Sequence, residues 1–220
     1  LRIIIMVNNG QRANDLMTIY HQVQVANRVW AQANIQLYVK EIIYNDTATF
    51  WDINEWQDFN NLNQFDSIDA SSITVYYVNT VTDMFSGNPA LGESFFVINR
   101  VVIGRDSWLT TLAHELGHYF CLLDTWNELE NDGLANPVCP VSDTPEDYRP
   151  TPPATNNCTV GQDCPATYQN IMSPWRPHER YLLTPDQIHA TRQYVYSFRF
   201  NHLTHEMARG DRQIIFSQDF

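Results

Sequence analysis

Thr110-Thr111-Leu112-Ala113-His114-Glu115-Leu116-Gly117-His118 is the stretch on which the reading of this chain turns. Its two histidines are four residues apart. On a helix that spacing stacks both imidazoles on one face, within reach of a single zinc ion. Glu115 lies beside the same ion, where it can take a proton from a water that the metal polarises. Trp108, Leu109, Leu112, Leu116 and Phe120 recur at helical spacing. They predict an amphipathic helix packed into a core, with Asp106 or Ser107 as its N-cap.

A hydrolytic zinc site takes three protein ligands and keeps a fourth position for water. Two side chains downstream qualify as the third ligand. Asp124 would come under the metal if the chain turned back after the helix. Cys121, three residues after His118, would share the histidine face if the helix continued, and thiolate binds zinc well. The plainer readings are a solvated loop acid for Asp124 and a buried or disulfide-bonded thiol for Cys121.

The run from His114 through Cys121-Leu122-Leu123-Asp124 resembles the elongated HExxHxxGxxH/D motif of the metzincin metalloproteases, and Asn170-Ile171-Met172-Ser173-Pro174 is similar to their Met-turn. Asp143-Thr144-Pro145 and Leu183-Thr184-Pro185-Asp186-Gln187 resemble the pappalysin family, while an aspartate as third ligand resembles the snapalysin-like branch. The resemblance covers residues 70–200. It implies zinc held by His114, His118 and Asp124, Glu115 as the base, and Met172 as an apolar floor. It also implies an antiparallel edge strand above the cleft, for which Gly92-Glu93-Ser94-Phe95-Phe96 lies at a suitable distance before the zinc helix. An extended peptide would pair with that strand. Pocket specificity would fall to the loop after Met172, with Trp175, Arg176 and His178.

Two positions depart from the family pattern. Cys121 stands where a glycine lets the family's chain turn, and a residue with a Cβ is penalised at positive φ. The turn is therefore expected to differ or to be strained. Pro174 stands two residues after the Met, where the family often has Tyr.

Cys121, Cys139, Cys158 and Cys164 surround this region. An even count predicts an oxidising compartment and two bridges, with three possible pairings. A bridge from Cys121 would restrain Asp124 beneath the metal; a free Cys121 on the zinc would suppress activity. No CxxC pair supports a cysteine-cluster site.

With 220 residues and a net charge of −12, the chain can bury a sizeable core and is a poor partner for nucleic acid or an anionic membrane. Lys40 is its one lysine. The acidic surface allows calcium binding as a sharper reading than simple solvation. Asn45-Asp46-Thr47 and Asn157-Cys158-Thr159 match glycosylation acceptors. No apolar run has the length of a membrane span. The apolar start at Leu1 predicts a trimmed, secreted form with its targeting segment removed. A monomer is the default expectation.

Residues 2–7, 35–44, 73–81, 95–98 and 101–103 read as strands. Residues 13–33 read as a helix with Val23, Ala26, Val29 and Trp30 inward, and 51–65 as a short helix with loops. This alternation predicts an α/β (α+β) fold with a twisted, mainly parallel sheet. Residues 127–168 are rich in Pro, Asn, Asp and Thr, so the cysteines there predict a stapled, irregular segment. Thr184-Pro185 opens a last helix running to about 200. The expected organisation is a subdomain over 1–124 with the zinc helix, a C-terminal subdomain over 125–200 with the Met-turn, and a tail over 201–220. Arg209-Gly210-Asp211 in that tail reads as an ordinary turn. Two functions fit: a zinc endopeptidase, or a binding protein that keeps the protease scaffold with a structural or blocked zinc site.

Overall fold

Arg2-Ile3-Ile4-Ile5-Met6-Val7 is apolar on both sides, and in the computed structural model it becomes the central strand β1 (Arg2–Asn8). The structure describes residues 1–65, 72–83, 87–94, 100–125, 139, 141–144, 169–173 and 180–199. β1 pairs in parallel with β3 (Glu41–Asp46) and with β5 (Thr74–Val78), and β5 pairs in parallel with β9 (Arg100–Gly104). β2 (Gln11–Arg12) folds back on β1, and β8 (Gly92–Ser94) closes the other end of the sheet antiparallel to β9. A second, small sheet joins β4 (Asp52–Ile53), β6 (Thr80–Thr82) and β7 (Pro89–Ala90).

A mainly parallel sheet is covered on both faces at its centre, which is why β1, β5 and β9 are almost continuously apolar. Ile3, Ile5, Val75, Tyr77, Val101 and Ile103 face one core with helices α1 (Leu16–Trp30) and α3 (Thr111–Tyr119). Ile4, Met6, Tyr76, Val78 and Val102 face the other, with Phe59 and Leu62 of α2 (Trp56–Phe65). α1 starts where Asp15 accepts from Thr18 N at 3.0 Å, satisfying an orphan donor of the first turn. Val23, Ala26, Val29 and Trp30 are buried as expected.

Several boundaries move, each for a visible reason. In 35–44 the strand begins at Glu41. The Asn27 side chain takes both backbone groups of Leu37, donating to its O at 2.9 Å and accepting from its N at 2.6 Å. The alternation of Ile35 and Leu37 thus reports packing into the α1 core rather than sheet pairing. The strand expected over 73–81 is split at Asn79, whose N–H goes to Trp51 O at 2.7 Å and whose amide donates to Asp52 at 2.8 Å. Its two halves lie in different sheets. Residues 95–98 lie outside the described residues.

The helix that carries His114 and His118 also begins later than its periodicity suggests. Thr110 is the N-cap, not Asp106 or Ser107, and Trp108 and Leu109 stay about half exposed in the preceding turn, at 48% and 47%. Gln22 of α1 explains the stop. Its amide donates to Ser107 Oγ and to Trp108 O, both at 2.9 Å, and its oxygen accepts from Tyr77 OH at 2.8 Å. A buried polar network therefore holds the approach to α3 away from helical geometry.

The last helix, α4 (Pro185–Tyr194), starts with the expected Thr184 cap and Pro185, and Gln187 completes a capping box. It continues as a π-helical turn over Val195–Arg199. Gln187 is nearly fully buried and also exchanges amide hydrogen bonds with Asn170, at 2.7 and 3.2 Å. Asn170 Oδ1 in turn accepts from Met172 N at 2.9 Å. One glutamine thereby starts α4 and ties it to the segment below α3.

Gln187→Ala leaves the buried Asn170 amide without its partner, a penalty of about 1–3 kcal/mol, with about 1 kcal/mol more from the weakened cap. Urea unfolding followed by circular dichroism should show a lowered midpoint with an unchanged slope.

Candidate metal centre

The left-handed residue that ends α3 builds the site. Phe120 is the C-cap, Cys121 has φ +78°, Cys121 N donates to His118 O at 3.0 Å, and Leu122 N donates to Gly117 O at 2.9 Å. These two bonds are the Schellman arrangement, in which the left-handed position is normally glycine. The turn is thus the usual one, made with a cysteine. The strain of about 1–2 kcal/mol for a side chain in that conformation is localised at Cys121. Cys121 is bridged to Cys139, with Cα atoms 6.0 Å apart. It is therefore not a metal ligand, and the bridge restrains the strained turn. Cys158 and Cys164 lie outside the described residues.

Reversing the chain returns two groups to the helix. Leu122 O accepts from His118 Nδ1 at 2.9 Å, and Asp124 arrives with Oδ1 3.4 Å from His114 Nε2 and 3.7 Å from His118 Nε2. His114 Nδ1 donates to Ile171 O at 2.8 Å. A carbonyl can only accept, so each ring carries its proton on Nδ1 and turns the lone pair of Nε2 inward. One ligand atom from each of His114, His118 and Asp124 lies within 4.8 Å of the others. Two neutral imidazoles and a carboxylate, oriented by backbone carbonyls, are a donor set that fits zinc. Among the described residues no other group of three or more His, Cys, Asp or Glu side chains converges in this way, and nothing there supports the expected calcium.

Residues 170–173 form the floor. Met172 is fully buried, and a β-carbon placed on Gly117 would lie 2.2 Å from its Sδ. The methionine occupies the space that a side chain at 117 would fill. Thr125 N donates to Met172 O at 3.0 Å, so Asp124 is held between the floor and the helix end. Pro174 lies outside the described residues, as do Trp175, Arg176 and His178 of the expected specificity loop and Phe95 and Phe96 of the expected edge segment.

The electrostatics are those of a closed, acidic site. Burial pushes the carboxyl of Glu115 well above its ordinary range; Glu93, Asp124 and Asp83 add to this, and Arg180 opposes it. A cation on the three ligands would act in the same sense as Arg180 and favour the carboxylate. Burial also drives His114 well below the usual histidine range, aided by Arg180 and His118, which keeps it in the neutral form a metal requires.

Arg180 has no counterpart among the residues that motif spacing singles out. It is nearly fully buried; its Nη1 donates to Ser173 O and lies 3.3 Å from His114 Nδ1. Burial lowers its pKa to about 10 despite Asp124 and Glu115, so it remains a cation at neutral pH. A lone arginine in an irregular stretch carries no periodic signal, and only its neighbours in space identify it.

No family model matches the chain, and no curated protein is similar to it in sequence. Among the solved structures that share its fold are three of mirolysin. Mirolysin in complex with a compound superposes with a TM-score of 0.67 at 16% identity, over 97% of both chains. Mature mirolysin of Tannerella forsythia in complex with a cleaved peptide gives 0.64 at 15% identity, again over 97% of both chains. A promirolysin mutant of the same organism gives 0.56 at 13% identity, over 95% of this chain and 84% of that one. The chain thus has a mirolysin-like fold, an α/β domain with a mainly parallel sheet. Identities this low establish the fold alone.

Cys139→Ser should lower stability by about 2–4 kcal/mol, through loss of the bridge. Adding Cys121→Gly should then recover about 1–2 kcal/mol, because glycine takes the left-handed turn without strain. Equilibrium unfolding of the single and double variants measures both steps.

Proposed function

We propose that this protein is a zinc-dependent endopeptidase. The observation that carries the reading is the convergence of His114 Nε2, His118 Nε2 and Asp124 Oδ1 beside the buried carboxyl of Glu115. Zinc held there would supply a Lewis acid that acidifies water and polarises a scissile carbonyl. Glu115 provides the proton shuttle: its carboxylate accepts a proton from the attacking water and returns it to the leaving amine. His114, His118 and Asp124 fix the ion, and their orienting partners, Ile171 O and Leu122 O, hold the imidazoles in the ligand tautomer. Met172 seals the underside against solvent.

The substrate is a polypeptide in extended form. β8 ends the sheet, antiparallel to β9, and α3 runs beneath it, so a peptide can add to its outer side as a further strand. The complex of mirolysin with a cleaved peptide supports this reading. The alternative of a non-catalytic binding protein rests on Cys121 and Pro174; the bridge to Cys139 takes Cys121 out of consideration as a blocking ligand, and Pro174 lies outside the described residues. The disulfide also favours an extracytoplasmic setting, and among the described residues no helix is long and apolar enough to cross a membrane. The two segments that resemble pappalysins lie against each other. Asp186 N donates to Asp143 at 2.9 Å, and Ser142 Oγ donates to Asp186 at 2.6 Å. These contacts support a C-terminal subdomain organised around α4.

Protein loaded with zinc should contain one ion per chain, and His114→Ala should abolish binding in metal analysis. Absence of zinc from the carefully prepared parent chain would overturn the reading.

Glu115→Ala should keep the zinc and reduce cleavage of a mixed peptide library by about 10²–10⁴-fold, scored by mass spectrometry. Undiminished cleavage would assign the proton transfer to another group.

A further inference from the structure

The backbone of β8 approaches Glu115 more closely than any side chain at that point would allow. A β-carbon built on Gly92 would lie 2.7 Å from Glu115 Cγ and 2.9 Å from Oε1. Carbon atoms in ordinary contact are about 3.5–4.0 Å apart, so the missing side chain is a space that Glu115 uses.

The register of the strand gives the same residue a second property. Gly104 N donates to Leu91 O at 2.9 Å, so Leu91 and Gly104 face each other across the ladder as a hydrogen-bonded pair. Hydrogen-bonded and open pairs alternate along antiparallel strands. Gly92, opposite Ile103, is therefore an open pair whose N–H and C=O point away from β9. They point to the outer edge of the sheet, where no strand pairs with β8 among the described residues. Its α-carbon shares the face of Val101 and Ile103, which is the face covered by α3.

Building on the peptidase reading, we propose that Gly92 is a positioning residue for hydrolysis. Its outward backbone groups pair with the substrate residue beside the scissile bond, and its lack of a side chain leaves the volume in which the Glu115 carboxylate works. Outward-facing positions recur every second residue, about 6.8 Å apart. Pairing shifted to Ser94 would carry the bond beyond the hydrogen-bond reach of a general base, roughly 2.6–3.2 Å. The register is thus discrete, and Gly92 is the one position in β8 where an open edge and the base coincide.

Gly92→Ala tests this, alone and combined with Glu115→Ala. The added methyl displaces the Glu115 side chain and leaves the edge hydrogen bonds in place. We expect kcat for an unstructured peptide to fall about a hundredfold, as for a misplaced catalytic group, with KM and zinc content unchanged. We also expect Gly92→Ala to lower Tm in the parent chain but not in the Glu115→Ala chain, where the clashing atoms are gone. An unchanged kcat, a raised KM at constant kcat, or equal losses of Tm in both backgrounds, including failure to fold in both, would overturn the proposal. A parent chain without peptidase activity would refute the functional reading instead, and the paired Tm values would still decide whether Gly92 and Glu115 share that space.

Discussion

The left-handed turn at Cys121 is the constraint on which the site depends. A helix ending in right-handed geometry would carry residues 121–124 away along its axis. Reversal at φ +78° sends Leu122 O back to His118 and Asp124 under both histidines. Glycine would make that turn without strain, whereas cysteine adds a covalent tether to Cys139. The residues beyond Cys139 dock on the start of α4 through Ser142 and Asp143. Helix end, stapled segment and last helix therefore form one connected support. Where a glycine turn relies on backbone freedom, this one relies on a cross-link.

A second theme is the concentration of charge in a small buried volume. Glu115 and Asp124 lie close together, with Glu93 and Asp83 near enough to raise Glu115 further. Such an arrangement of acids is unfavourable unless cations enter it. Arg180 is one, fixed behind His114 and held by Ser173 O. The geometry of His114, His118 and Asp124 would admit a second, as a metal ion. The same arginine disfavours protonation of His114, so one cation acts on both the Glu115 carboxyl and the His114 imidazole.

Much of this was legible in the order of residues. The spacing of His114 and His118 specifies their common face, with Glu115 beside it, and β1, the core face of α1 and the Thr184 cap read correctly from periodicity and capping chemistry. The failures have one cause. The start of α3, the split at Asn79 and the non-strand course of 35–40 are each decided by hydrogen bonds that Gln22, Asn79 and Asn27 make to residues separated from them in sequence. Periodicity responds to burial, and burial alone does not distinguish a strand from a segment packed on a helix.

The sequence by itself determined the chemistry available: a helix that must place two imidazoles and a carboxyl side by side, because the helical period is a property of the chain. Tertiary structure decided which downstream group joins them, choosing Asp124 over Cys121 through a turn and a bridge that no local pattern specifies. It also brought Arg180 behind His114 and Gly92 over Glu115. Residues this far apart in the chain have no mutual spacing to read, and their relation exists only once the sheet edge, α3 and the Met172 floor pack together.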